Sequence, residues 1–229
     1  MAQRTPFVVM AVWLALSIGL SLAHEGFTAN AVTRFGILGT FALSLLWYWR
    51  WGRVLVVRHP RRTFLVFSVV NALIGESWYM VSRPLDASLL ITRQTAPLEA
   101  LRHWAVDLTL TAPAYVGIFS VVWWLIHRYR YSPFSYFFLI GLGQALGDGN
   151  AFFLANPVML LFVPYVMLNY WAMSFVPYLV IRGSIDEATL KPGKVAPVIV
   201  TLGLMPVTYF CAGAIIITAG RLLGWLPGS

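Results

Sequence analysis

Seven long apolar runs constrain this chain more than any other feature of its sequence. They lie at 7–23, 34–51, 63–81, 104–126, 134–154, 158–181 and 196–219. A helix of roughly 20 apolar residues crosses the ~30 Å hydrocarbon core of a bilayer. In lipid, only helices and closed barrels satisfy their own backbone hydrogen bonds, and these runs lack the alternation of barrel strands. The sequence therefore predicts an all-α polytopic membrane helical bundle of about seven transmembrane helices.

Composition and charge support a membrane protein and predict its orientation. Hydrophobic residues make up 59% of the chain and charged residues 10%, a balance that no soluble domain of this length needs. The net charge of +8 comes from basic residues at span ends, eleven on one side and five on the other. That pattern is the positive-inside signal and not a nucleic-acid-binding face. We expect the N-terminus in the cytoplasm, the C-terminus outside and no nucleic-acid partner. The host membrane is the endoplasmic reticulum if the chain is eukaryotic and the cytoplasmic membrane if it is bacterial.

The first apolar run has two interpretations. It begins with a short basic segment and ends at Ser21-Leu22-Ala23, which has the small residues of a signal-peptidase site. Residues 1–23 are therefore either a cleaved signal peptide or an extra span that acts as a signal anchor. The sequence leaves both interpretations open.

Carboxyl groups inside the spans are the candidates for chemistry. Glu76, Asp107 and Asp148 lie toward the non-cytoplasmic ends of the third, fourth and fifth runs. Gln144 shares a helix face with Asp148, which follows it by four residues. Ionisable residues are unfavourable in hydrocarbon and usually functional, although an interhelical hydrogen bond is the alternative for each one. A carboxyl group in an apolar chamber can hold and deliver a proton, as a general acid must.

Other chemistries fit the sequence less well. The single cysteine, Cys211, excludes an intramolecular disulfide and a cysteine-based metal cluster. The four histidines lie at span ends on opposite sides, where they do not form a haem pair. Lys191 and Lys194 lie in a loop, so no buried lysine is present to carry a retinal Schiff base. We therefore expect neither a cofactor nor a metal.

Four short segments occur in an order typical of one known family. They are Glu76-Ser77-Trp78-Tyr79, Asp107-Leu108-Thr109, Gly143-Gln144-Ala145-Leu146-Gly147-Asp148 followed by Phe152-Phe153-Leu154, and Asn169 with Trp171 and Pro177. These segments resemble the emopamil-binding protein family, the EXPERA-type sterol isomerases and their relatives. The resemblance implies an EXPERA-like five-helix core over 34–181. Residues 1–33 would then add an N-terminal span, and 182–229 a C-terminal loop and span.

The resemblance also implies a reaction and a site. The family's isomerases shift a ring double bond of a sterol. In that reaction a buried acid protonates the alkene, and an aromatic face stabilises the resulting carbocation. By position, Glu76 is an acid or base and Asp107 is its partner. Trp171 would supply the cation–π face, and Asn169 would orient the site. The implied substrate-binding residues are Asn71, Trp78, Tyr79, Gln144 and Asp148.

Departures from the family leave several functions open. Ala72 stands where the isomerases have a histidine one turn before the glutamate, and Asp107 stands where they have a glutamate. The leading hypothesis is an isomerase of a sterol or a similar polycyclic lipid. The alternatives are a non-catalytic sterol-binding or trafficking protein and a membrane terpene cyclase. A transporter would place polar residues in both halves of the membrane. For every function except a transporter, we expect a lipid or sterol-like ligand. Whether the chain forms a homodimer stays open.

Overall fold

A computed structural model describes residues 5–148, 156–186, 190–191, 193 and 195–227. Within these ranges the chain is almost entirely helical and contains no strand. The α-helices there are α1 (Thr5–Glu25), α2 (Ala29–Arg50), α3 (Pro60–Tyr79), α4 (Pro97–Arg128), α5 (Pro133–Gly147), α6 (Val163–Ile181) and α7 (Val195–Leu222). Short 3-10 turns lie at Gly52–Val54, Ala87–Leu89, Pro157–Phe162 and Arg182–Ser184. The all-α class is confirmed.

Five of the helical segments are long and apolar enough to cross a membrane. They are α1, α2, α4, α7 and the stretch Pro157–Ser184 that contains α6. The chain is therefore a multi-pass integral membrane protein. Helices α3 and α5 are not among these five, and each has a reason in its sequence or length. Helix α3 carries Arg61, Arg62 and Glu76 within its 20 residues, and α5 has 15 residues, because 149–154 of the predicted span lie outside the described residues.

Proline and serine set the starts of three helices. Helices α3, α4 and α5 each begin with a proline, whose missing N–H is not needed in the first turn and whose φ already suits a helix. At α5 the side chain of Ser132 also accepts a hydrogen bond of 3.0 Å from the backbone N–H of Ser135. Helix α4 therefore begins at Pro97, seven residues before the predicted start of its span.

Helix α6 occupies the centre of the bundle. All of its residues except Tyr165 and Leu179 are buried, as expected for a helix that is apolar on every side. It contacts α1, α2, α3 and α5. Helix α7 packs on the remaining side of this group, against α4 and α5. Helices α3 and α5 thus pack on α6 directly, and α4 and α7 complete the group by packing on α3, on α5 and on each other.

Glycines let α5 and α7 approach closely. An added Cβ at Gly147 would lie 2.6 Å from Cβ of Tyr209 and 2.8 Å from Cα of Pro206. One turn earlier, a Cβ at Gly143 would lie 3.0 Å from Cβ of Met205. Small residues in such positions are the usual means of close helix packing in membranes. The glycines thus determine how near α7 comes to the rest of the bundle.

We predict that Gly147→Ala destabilises the protein, whereas Gly117→Ala does not. The first substitution forces backbone of α7 away from α5, and overpacking of this kind costs about 1–3 kcal/mol. Gly117 lies in α4 with no atom within 4 Å of an added Cβ, and alanine favours a helix over glycine. The free energy of unfolding of both variants in lipid bicelles tests this. Equal stability of the two variants would contradict the close packing of α5 on α7.

Candidate functional site

A cavity of about 320 Å³ lies at the end of α3 that carries Glu76. Residues from five helices, from the loop after α3 and from the C-cap of α5 line it. Its polar and aromatic lining consists of Arg34, Glu76, Tyr79, Arg83, Thr111, Tyr115, Asp148, Asn169, Tyr170 and Tyr209. Helix α7 supplies Tyr209 and several small and apolar residues. The C-terminal helix is therefore part of the cavity wall.

Glu76 projects into this cavity from α3 and is held by a phenol. The hydroxyl of Tyr115 on α4 donates a hydrogen bond to Oε1 of Glu76. The ring of Tyr115 is buried and stacks on Phe119 with 5.8 Å between ring centroids. Since Phe119 is itself fully buried, the phenol has a fixed position. The carboxyl group of Glu76 is thus oriented by α4.

Asp148 reaches the same cavity from the end of α5 and also binds a phenol. The hydroxyl of Tyr170 on α6 donates a 2.7 Å hydrogen bond to its Oδ2 atom. Tyr170 meets Tyr209 edge to face at 5.8 Å. The hydroxyl of Tyr209 in turn donates a 2.6 Å hydrogen bond to Oε1 of Gln144. Gln144 is fully buried and does not line the cavity, so it acts on the cavity through Tyr209.

Asp107 lies behind the cavity wall. It is fully buried, and its Oδ1 atom accepts a 2.9 Å hydrogen bond from the backbone N–H of Leu85. Leu85 and its neighbour Pro84 line the cavity. The structure therefore places Asp107 where it fastens the loop after α3 to α4. Asp107 is not among the residues that line the cavity, and its role as the partner of Glu76 stays a prediction.

Three other predicted site residues lie in helix contacts away from the cavity. The indole N–H of Trp171 donates a 2.8 Å hydrogen bond to the carbonyl of Phe137, and the two rings stack at 3.9 Å. Asn71 donates a weak 3.4 Å hydrogen bond to the backbone of α6. Trp78 donates a 3.2 Å hydrogen bond to a threonine on α2. The aromatic faces that line the cavity belong to tyrosines, whereas the resemblance implies Trp171 in this role.

Two further predicted residues do line the cavity. Tyr79 lies on α3, three residues after Glu76, and lines the cavity. Asn169 lies on α6 and is buried. Its Oδ1 atom has no hydrogen-bond partner among the described residues. A buried amide oxygen without a partner is unfavourable, so this atom is available to accept a hydrogen bond from a ligand.

Arg34 is the cavity residue that sequence reasoning missed most clearly. Its guanidinium lies 4.4 Å from the ring centroid of Tyr165 and 5.7 Å from that of Tyr79. One terminal nitrogen, Nη1, is buried without a hydrogen-bond partner in the described part of the chain. By sequence, Arg34 counts only among the basic residues at span ends, because the predicted span begins at that residue. The helix begins five residues earlier, at Ala29, which places Arg34 inside α2 and which the apolar pattern did not reveal.

The arrangement can perform proton transfer but offers no evident metal site. Two carboxyl groups, those of Glu76 and Asp148, line the same cavity, and each one accepts a hydrogen bond from a tyrosine. Arginine side chains in the same chamber can balance the charge of a carboxylate. Among the residues that the structure describes, no group of three or more His, Cys, Asp or Glu side chains could hold a metal ion.

Comparison of the chain with family models, with curated proteins and with solved structures finds no match. The resemblance to the emopamil-binding protein family therefore stays a prediction from its short segments. Of these segments, 152–154 lies outside the described residues.

We predict that Asp107→Ala loosens the loop after α3, whereas Asp107→Asn does so far less. Alanine leaves the N–H of Leu85 without its partner, and an unsatisfied buried group costs about 1–3 kcal/mol. Asparagine keeps an oxygen in the same place. Hydrogen exchange of segment 80–91, followed by mass spectrometry, should be faster in Asp107→Ala. Unchanged exchange in that variant would show that the hydrogen bond does not hold the loop.

Proposed function

We propose that this chain is an intramembrane isomerase that moves a double bond in a sterol or a similar polycyclic lipid. The observation that carries the proposal is that Glu76 and Asp148, from different helices, line one cavity of about 320 Å³. Isomerisation of an alkene needs one group that gives a proton and another that removes one. Two carboxyl groups in different surroundings can divide these roles.

The proposed steps use these carboxyl groups and the protons of water. Glu76, in its protonated form, donates its proton to one alkene carbon and leaves a carbocation on the other. Asp148, as a carboxylate, removes a proton from a carbon next to the cation, and the electrons of that C–H bond form the new double bond. Asp148 then gives its proton to water and Glu76 takes one from water, so the enzyme is restored and the composition of the lipid is unchanged. Arg34 and Arg83 share the cavity and favour a carboxylate at Asp148.

Tyrosine rings support the cationic intermediate in this proposal. Tyr79, Tyr115, Tyr170 and Tyr209 all line the cavity. An aromatic face attracts a cation, and the attraction grows when water is excluded. The proposal therefore gives these rings the role that the resemblance assigned to Trp171. The unpartnered Oδ1 of Asn169 would accept a hydrogen bond from a substrate hydroxyl.

The proposal includes the finer topology that the sequence predicts. In it, α3 and α5 also cross the membrane, which gives seven spans, and 34–181 forms the EXPERA-like five-helix core. The cavity then lies in the non-cytoplasmic half of the bilayer. Helix α7 extends the core by completing the cavity wall with Tyr209. The host membrane follows the origin of the chain, as the charge pattern alone does not specify it.

A non-catalytic sterol-binding protein is the second candidate function. Ala72 is the observation that favours it, since the resembling isomerases have a histidine at this position. The side chain of Ala72 is fully buried and carries no group that could transfer a proton. A protein of this kind would use the same cavity to hold a sterol without changing it.

We predict that Glu76→Gln and Asp148→Asn each lower turnover by about 10²–10⁴-fold, the range for loss of a general acid or base. The full chain in lipid nanodiscs would receive a panel of sterols in D₂O, with products identified by mass spectrometry. Each turnover should place one deuterium on the carbon that Glu76 protonates. Tyr115→Phe should lower turnover less, because the carboxyl group remains.

Glu25→Gln is the matched control, because Glu25 is an exposed carboxyl group at the end of α1. Its turnover should equal that of the unmodified chain. Sterol binding without any product would support the non-catalytic candidate instead. Product from a linear epoxidised prenyl chain, with none from sterols, would show a cyclase. Full turnover in Glu76→Gln would overturn the proposed site.

A further inference from the structure

A second recess lies at the opposite end of α3 and shares no lining residue with the carboxyl cavity. It is a groove of about 930 Å³ formed mainly by α3 and α4. Glu76 follows Arg61 by 15 residues on α3, which is about 22 Å along a helix. The proposed isomerase site makes no use of this groove.

The mouth of the groove is cationic. Arg58, Arg61 and Arg62 line it and are exposed, and His59 and His127 lie beside them. No acidic side chain is among the described residues that line the groove. The mouth belongs to the side with the larger number of basic residues, which the positive-inside rule assigns to the cytoplasm. The start of α3 adds the partial positive charge of a helix N-terminus at the same place.

The rest of the groove is apolar and open. Its floor consists of Leu65, Val66, Val69, Val70, Val116 and Trp123. Val66, Val70 and Val116 are 52%, 47% and 48% exposed, so these side chains face outward from the bundle. The ring of Trp123 stacks on His127 at 5.5 Å, which joins the apolar floor to the cationic mouth.

The length of the groove matches one leaflet of a bilayer. On α4 it extends from Val116 to His127, eleven residues, or about 16 Å at the helical rise. Half of the ~30 Å hydrocarbon core is about 15 Å. An acyl chain that lies on the valines would therefore bring its headgroup to the arginines.

We propose that this groove binds an anionic phospholipid of the cytoplasmic leaflet. The phosphate and any further negative charge of the headgroup bind Arg58, Arg61 and Arg62, and one acyl chain lies on the apolar floor. Charge complementarity selects an anionic headgroup over a zwitterionic one, since basic pockets between helices on this side of the membrane bind such headgroups. The site is distinct from the carboxyl cavity and independent of the isomerase proposal.

The test compares two double variants of the full chain by native mass spectrometry from mixed phosphatidylglycerol and phosphatidylcholine micelles. The unmodified chain should retain one phosphatidylglycerol in preference to phosphatidylcholine. Arg61→Gln with Arg62→Gln should lower that affinity by about 30-fold, because each basic residue contributes about 1 kcal/mol to such binding. Arg50→Gln with Arg53→Gln removes the same charge from the same side outside the groove, and its affinity should be unchanged.

Two further measurements separate the groove from general surface charge. Val70→Trp fills the apolar floor and should also release the lipid, whereas Val207→Trp, at an exposed site on α7, should not. Free glycerol phosphate should fail to displace the lipid, because it lacks the acyl chain. The proposal is overturned if the unmodified chain shows no headgroup preference, if both arginine pairs lower affinity equally, if Val70→Trp retains the lipid, or if glycerol phosphate displaces it.

Discussion

The hydrogen bonds that two tyrosines donate to two carboxyl groups are the interactions on which the candidate site depends. A carboxyl group without a partner is strongly unfavourable inside a membrane protein. Tyr115 on α4 donates a hydrogen bond to Glu76 on α3, and Tyr170 on α6 donates one to Asp148 at the end of α5. Each pair joins two helices, so the polar groups and the helix arrangement stabilise one another. Lipid around the bundle makes this requirement stricter than it is in water.

The central helix makes both pairings compatible. Helix α6 is buried on nearly every side and contacts α3 and α5 directly, so it fixes the separation of the two helices that carry the carboxyl groups. Close contact through Gly143 and Gly147 then brings α7 near enough to place Tyr209 beside Tyr170. The cavity therefore depends on the whole bundle, including the helix that the resemblance leaves outside its five-helix core.

The positions of the helices could be predicted from the sequence, whereas the side-chain contacts between neighbouring helices could not. Apolar runs reveal where helices lie because burial in lipid demands them, and the shared depth of Glu76 and Asp148 indicated a common level in the membrane. Tyr115 and Arg34 could not be found in this way, since their contacts depend on which helices are neighbours and how each is rotated. Trp171 was assigned from the resemblance alone, and the structure stacks it on Phe137 instead.

The glycine contacts between α5 and α7 have a consequence for how this protein can evolve. Gly147 faces Tyr209, and Gly143 faces Met205, with no room for an added methyl group at the first position. The nearest atoms of α7 are the Cβ of Tyr209 and the backbone of Met205 and Pro206, so a smaller side chain on α7 makes no room for a larger one on α5. Among descendants of a common ancestor, position 147 should therefore stay glycine whatever residue stands at 209, while Gly117 changes freely.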